Sequence, residues 1–67
     1  MINVQLNAQA ITVESNLSLA ALLHAQGYQE TYFAVALNRR FVSRSEHAIT
    51  FLQEGDQIEI IFPMQGG

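Results

Sequence analysis

The chain has 67 residues, 49% of them hydrophobic and 13% charged, with a net charge of −3; that mix is globular, because disordered chains combine low hydrophobicity with high net charge. The acidic balance argues against a nucleic-acid partner or a polybasic membrane contact, and no apolar run approaches the roughly 20 residues needed to cross a bilayer. Cysteine, tryptophan and lysine are absent, which removes disulfide scaffolds, thiolate metal sites, Cys nucleophiles, Schiff-base chemistry and P-loop phosphate binding.

Ile2, Val4 and Leu6 alternate with Asn3 and Gln5, the period of a half-buried strand. No basic residue opens the chain, so this segment does not read as a signal peptide, and a cytoplasmic protein is expected. Asn7-Ala8-Gln9-Ala10 breaks the alternation, and Asn tolerates the left-handed backbone of a turn. Ile11 and Val13 alternate with Thr12 and Glu14, predicting a second strand and an antiparallel hairpin.

Ser18 is placed to cap a helix. Leu19, Leu22, Leu23 and Gln26 share one face, Ala20, Ala21 and Ala25 favour helix, and Gly27 stands where a left-handed residue closes one. Phe33, Val35 and Leu37 alternate with Ala34 and Ala36 and predict a third strand. Asn38-Arg39-Arg40 turns the chain into a short fourth strand at Phe41-Val42. Ser43 to His47 reads as polar and irregular, and Ile49 to Leu52 reads equally as a turn or a short strand. Glu54-Gly55-Asp56 is a turn, after which Ile58, Ile60 and Phe62 alternate with Gln57, Glu59 and Ile61 in the last strand. Pro63 has no N–H to donate, so pairing should stop there. One helix covers one face of a sheet, which gives a two-layer α+β fold. The second face is expected to be left uncovered, with Ile61, Ala34, Ala36 and Phe41 as candidate partner contacts and Met64 as a candidate extension.

This order, closing on Gln65-Gly66-Gly67, resembles the ubiquitin-like β-grasp. Within it the chain resembles the bacterial sulfur carriers of thiamine biosynthesis, the ThiS family. The resemblance spans essentially the whole length. Ala34-Val35-Ala36-Leu37-Asn38 matches that family's alanine-valine strand ending in Asn. Val42 with Arg44-Ser45-Glu46, then Leu52 with Glu54-Gly55-Asp56 and Ile58-Glu59-Ile60, match its later segments. Three positions depart: Arg39 stands where the family usually has Gly, Ser43 where it has Pro, and His47 where it has Trp. The resemblance implies a mixed sheet of four to five strands with one main helix, a β-grasp domain over residues 1–62 and a flexible tail over 63–67.

With Gly near 7% of average usage, a closing Gly-Gly arises by chance in about one chain in 200. Lacking Cβ, Gly66 and Gly67 would thread a narrow tunnel, led in by Met64 and Gln65. The resemblance implies that the Gly67 carboxylate is the reactive group. An E1-like adenylyltransferase would activate it with ATP and magnesium. A persulfide donor, a cysteine desulfurase or rhodanese-like protein, would convert it to a thiocarboxylate, and thiazole synthase would receive the sulfur. The chain itself would bind no cofactor, catalyse nothing, and act as a monomer when free. The alternatives within the fold are the sulfur-donating small subunit of molybdopterin synthase, a modifier forming isopeptide bonds, and a plain β-grasp interaction module.

Among the remaining polar residues the two histidines read as surface or partly packed side chains. His24 and His47 make no metal site without a third ligand and no general base without an oriented partner. Arg39, Arg40 and Arg44, the only basic side chains, read as a solvated turn, with a salt-sensitive contact to an acidic partner as the functional alternative.

Overall fold

The computed structural model describes residues 1–28 and 33–62. Five strands form a mixed sheet in the order β2-β1-β5-β3-β4, made of β1 (Ile2–Leu6), β2 (Gln9–Val13), β3 (Ala34–Leu37), β4 (Arg40–Val42) and β5 (Gln57–Ile61). One helix, α1 (Leu19–Ala25), follows the first hairpin. β5 pairs parallel to β1 and antiparallel to β3, so the last strand lies at the centre of the sheet.

The helix forms where its local signals place it. Ser18 accepts a hydrogen bond from the Ala21 N–H at 3.1 Å, a cap worth about 1 kcal/mol. Gly27 closes it at φ +86°, a backbone that side chains with Cβ disfavour. Leu19, Leu22 and Leu23 are buried and meet Val4, Leu6, Val13, Val35, Leu52, Ile58 and Ile60 in one core. Gln26 does not join that stripe: it caps the helix, its N–H bonded to the Leu22 carbonyl, and is exposed.

Both hairpins turn on two residues, Asn7-Ala8 between Leu6 and Gln9 and Asn38-Arg39 between Leu37 and Arg40. All four have positive φ, between 51° and 69°, the twist that suits a two-residue hairpin. Each Asn also ties its turn to β5. Asn7 Oδ1 accepts from the Ile60 N–H at 2.9 Å, and Asn38 Oδ1 accepts from the Gln57 N–H at 3.0 Å. Asn38 Nδ2 donates to Asp56 Oδ1 at 3.0 Å, and Asp56 Oδ2 accepts from the Gln53 N–H at 2.8 Å. Arg39, one of the three departures from the resemblance, is thereby held at φ 69°. Left-handed backbone costs a residue with Cβ about 1–2 kcal/mol, partly offset by the entropy glycine loses on folding. Arg39→Gly is accordingly expected to raise stability by about 0.5–1 kcal/mol in urea unfolding; an unchanged midpoint would show that Arg39 is not strained.

Three readings are corrected. Ser43 to His47 is not irregular: residues Arg44–Ile49 form a 3₁₀-helix packed against α1. His47 is not a surface or partly packed residue but is 4% exposed, with Nε2 3.3 Å from the Val42 carbonyl. A carbonyl can only accept, so Nε2 carries the proton there. β5 ends at Ile61, so Phe62 lies outside the strand, and it is 58% exposed. The ambiguous stretch 49–52 runs beside the start of α1 rather than in the sheet. Ser18 and Phe51 form a single antiparallel bridge, the Leu19 N–H donates to the Thr50 carbonyl at 2.7 Å, and the Leu52 N–H donates to the Leu17 carbonyl at 2.9 Å.

Candidate functional site

The candidate residues on the described part of the chain surround the end of β5. Val35 and Ile60 pair in the core, and side chains alternate across a strand. Ala34 and Ile61, which also pair, therefore point to the face away from α1, and so do the paired residues Ala36 and Glu59. Ala36 also pairs with Phe41 across β3 and β4. The four sequence candidates thus lie on one face, at the β3-β4-β5 side of the sheet, with Glu59 among them.

They are not equally accessible. Phe41 is 76% exposed and Ile61 42%, whereas Ala36 is only 5% exposed. A methyl group set between the cross-strand neighbours Phe41 and Glu59 is overshadowed by both. Ala36 therefore adds little exposed area, and Phe41 and Ile61 supply most of it. At the β1-β2 side the same face is polar: Asn3 pairs with Thr12, Gln5 with Ala10, and Thr12 Oγ1 donates to Asn3 Oδ1 at 3.0 Å. The apolar patch is therefore confined to the part of the face nearest the chain's exit from β5.

On the helix side of that exit three rings meet. Phe62 lies 6.1 Å from Tyr28 and 5.9 Å from Phe33, and Tyr28 and Phe33 are 5.8 Å apart. Sequence reading assigned Phe62 to this side by its alternation with Ile60. It missed Tyr28 and the ring cluster, because residues 28, 33 and 62 are brought together only by the fold. Met64, Gln65, Gly66 and Gly67, the predicted threading and reactive residues, lie outside the described residues, as does Pro63.

Arg39, Arg40 and Arg44 are exposed along the β3-β4 turn, β4 and the start of the 3₁₀-helix. Arg40 pairs with Leu37 and alternates with Phe41, so it faces away from the apolar patch. His24 is exposed on α1. Among the described residues no three His, Cys, Asp or Glu side chains are grouped to hold a metal ion. No helix among them is long and apolar enough to cross a membrane.

The ThiS family model matches residues 4–67, from the first strand through both closing glycines. The chain belongs to the ThiS family. Its fold agrees: the crystal structure of the thiamine biosynthesis protein ThiS from Geobacter metallireducens superposes with a TM-score of 0.85 at 30% identity, covering 98% of this chain and 100% of that one. The solution structure of a thiamine biosynthesis protein from the same organism gives 0.76 at 29% identity, covering 98% of this chain and 88% of that one. A thiazole synthase of Magnetococcus marinus is 34% identical over 64 residues, 96% of this chain but only 20% of the relative. This ThiS-family chain therefore spans about a fifth of the length of the curated relative it matches.

Proposed function

We propose that this ThiS-family protein carries sulfur for the thiazole ring of thiamine on the carboxylate of Gly67. The observation that carries the reading is the family match running through residue 67, on a β-grasp whose central strand leads into the tail. The solved ThiS structures support the thiamine pathway over molybdopterin synthesis.

A carboxylate is a poor electrophile, so it needs a leaving group. In this reading an E1-like adenylyltransferase binds ATP and magnesium, and the Gly67 carboxylate attacks the α-phosphorus and releases pyrophosphate. The terminal sulfur of a donor's persulfide attacks the acyl carbon and AMP leaves. A thiol then cleaves the S–S bond, leaving a thiocarboxylate on Gly67 and a disulfide on the donor side. Thiazole synthase takes the sulfur. The protein is co-substrate throughout, working as a monomer in the cytoplasm, and contributes docking and presentation rather than an acid, base or nucleophile set.

The absence of cysteine makes the test clean. The protein is incubated with an E1-like enzyme of the thiamine pathway, ATP, magnesium and a sulfur donor, then treated with a thiol-alkylating reagent. Fragment mass spectrometry is expected to place the label on Gly67. Absence of label, with the enzyme active on another carrier, would reject the reading.

The apolar patch is the proposed docking face for the activating enzyme. Phe41→Glu is expected to weaken that association at least tenfold, the scale of an apolar anchor lost from an interface. Its exposed position predicts little change in melting temperature. Titration calorimetry and a thermal melt check both halves, and unchanged affinity would move the docking face elsewhere.

A further inference from the structure

Phe62 is 58% exposed, yet its ring touches two others that also touch each other. The Tyr28–Phe33 and Phe33–Phe62 pairs are both inclined at 66°, the edge-to-face arrangement that ring quadrupoles favour. The other two rings are fixed from below. The Tyr28 N–H donates to the Leu23 carbonyl at the end of α1 at 2.9 Å, and both Tyr28 and Phe33 pack on the core. Phe62 is thereby attached to both ends of the α1–β3 connection. Pro63 comes next in the sequence, and a residue before proline is restricted to extended backbone. Ring contacts hold the side chain and the proline narrows the backbone.

We propose that the Tyr28–Phe33–Phe62 cluster is the pivot from which the tail is presented, and that Phe62 is a positioning residue for the Gly67 carboxylate. This rests on the function proposed above and deepens it. Strand pairing ends at Ile61; without the ring contacts the pivot would retreat there. That adds only one residue between pivot and Gly67, a small change in loop length. The ordering of Phe62 itself matters more: with the cluster intact, its backbone and side chain are set before any enzyme is met. Without the cluster the enzyme must order them on binding, which weakens productive association by about tenfold. Once Gly67 is seated the chemistry is the same, so the loss falls on KM and not on kcat.

The test measures adenylation kinetics with the E1-like enzyme for the wild type, Phe62→Ala, Phe62→Tyr, Phe33→Ala and Phe33→Leu. Nitrogen-15 relaxation at the Phe62 amide is measured in parallel on each free protein. Phe62→Ala and Phe33→Ala are expected to raise KM about tenfold at unchanged kcat, and Phe62→Tyr, which keeps the ring, to behave as wild type. Phe33→Leu preserves apolar packing on the core but removes the ring edge, and serves where Phe33→Ala fails to fold. In the Phe33 variants the Phe62 amide should show increased picosecond-to-nanosecond motion. A KM effect confined to Phe62→Ala would make Phe62 an enzyme contact and overturn the pivot. Unchanged KM in every variant would do the same. Should the wild type itself not be adenylated, the carrier reading fails while the relaxation measurement still decides whether the cluster holds Phe62.

Discussion

Deletion of Gly67 is expected to abolish sulfur loading while leaving the melting temperature unchanged. Removing one residue draws the carboxylate back by about 3.5 Å at full extension. A misplacement of about 1 Å in a reacting group already costs on the order of 100-fold in rate, so the shortened chain should load at least about 100-fold more slowly. The described core runs from Val4 to Ile60, so the domain is expected to fold without its last residue and stability should not follow activity. Loading is read by fragment mass spectrometry after alkylation, stability by circular dichroism. Loading at the wild-type rate on Gly66 would mean that the enzyme does not measure tail length. A collapse of the fold would mean that Gly67 is part of the domain rather than its cargo arm.

The largest effect on stability is expected at Leu19. Its side chain is fully buried, and its backbone N–H is bonded to the Thr50 carbonyl, so the helix start and the 49–52 segment close on the same side chain. Leu19→Ala should cost about 2–5 kcal/mol, the sum of lost transfer energy and the cavity left behind. At about 0.05–0.15 kcal/mol per residue, a domain of this size has only about 3–10 kcal/mol in total. Leu19→Ala is therefore expected to be largely unfolded or to melt tens of degrees lower, whereas Ile49→Ala, at an exposed position, should stay within about 0.5 kcal/mol of wild type. Urea denaturation of both decides it. A loss below about 1 kcal/mol at Leu19 would mean that the core refills the space.

Features encoded by near neighbours were legible in the sequence. Ser18, the leucines and Gly27 specify α1 within nine residues of one another, and the alternation of Ile2 to Leu6 needs no distant partner to be seen. The two Asn-led turns were located for the same reason. What escaped depends on residues far apart in the chain. The burial of His47 follows from the 3₁₀-helix packing against α1, and its polarity pointed the other way. The 49–52 segment was ambiguous because its partner is Ser18, more than thirty residues earlier. Period-two alternation put Ala34, Ala36 and Ile61 on the face away from the helix, where they lie. Alternation says nothing of how neighbouring side chains shade one another, so the low exposure of Ala36 beside the open Phe41 was not legible in it. Arg39 stood out in the sequence only as a departure from the family pattern; its positive φ depends on the turn and came only with the structure.

The central position of β5 also bears on how the domain is made. β1 and β2 form one hairpin, β3 and β4 another, and neither pairs with the other except through β5. Isolated hairpins are marginal in water. At about 5–20 residues per second, a ribosome completes every other element of the sheet seconds before the strand that joins them emerges. Until residues 57–61 arrive neither hairpin has a strand to join it to the other, and both Asn clamps wait on the same segment. Assembly is therefore a single late event, and a truncation just before Gln57 would leave an unfolded polypeptide rather than a smaller domain.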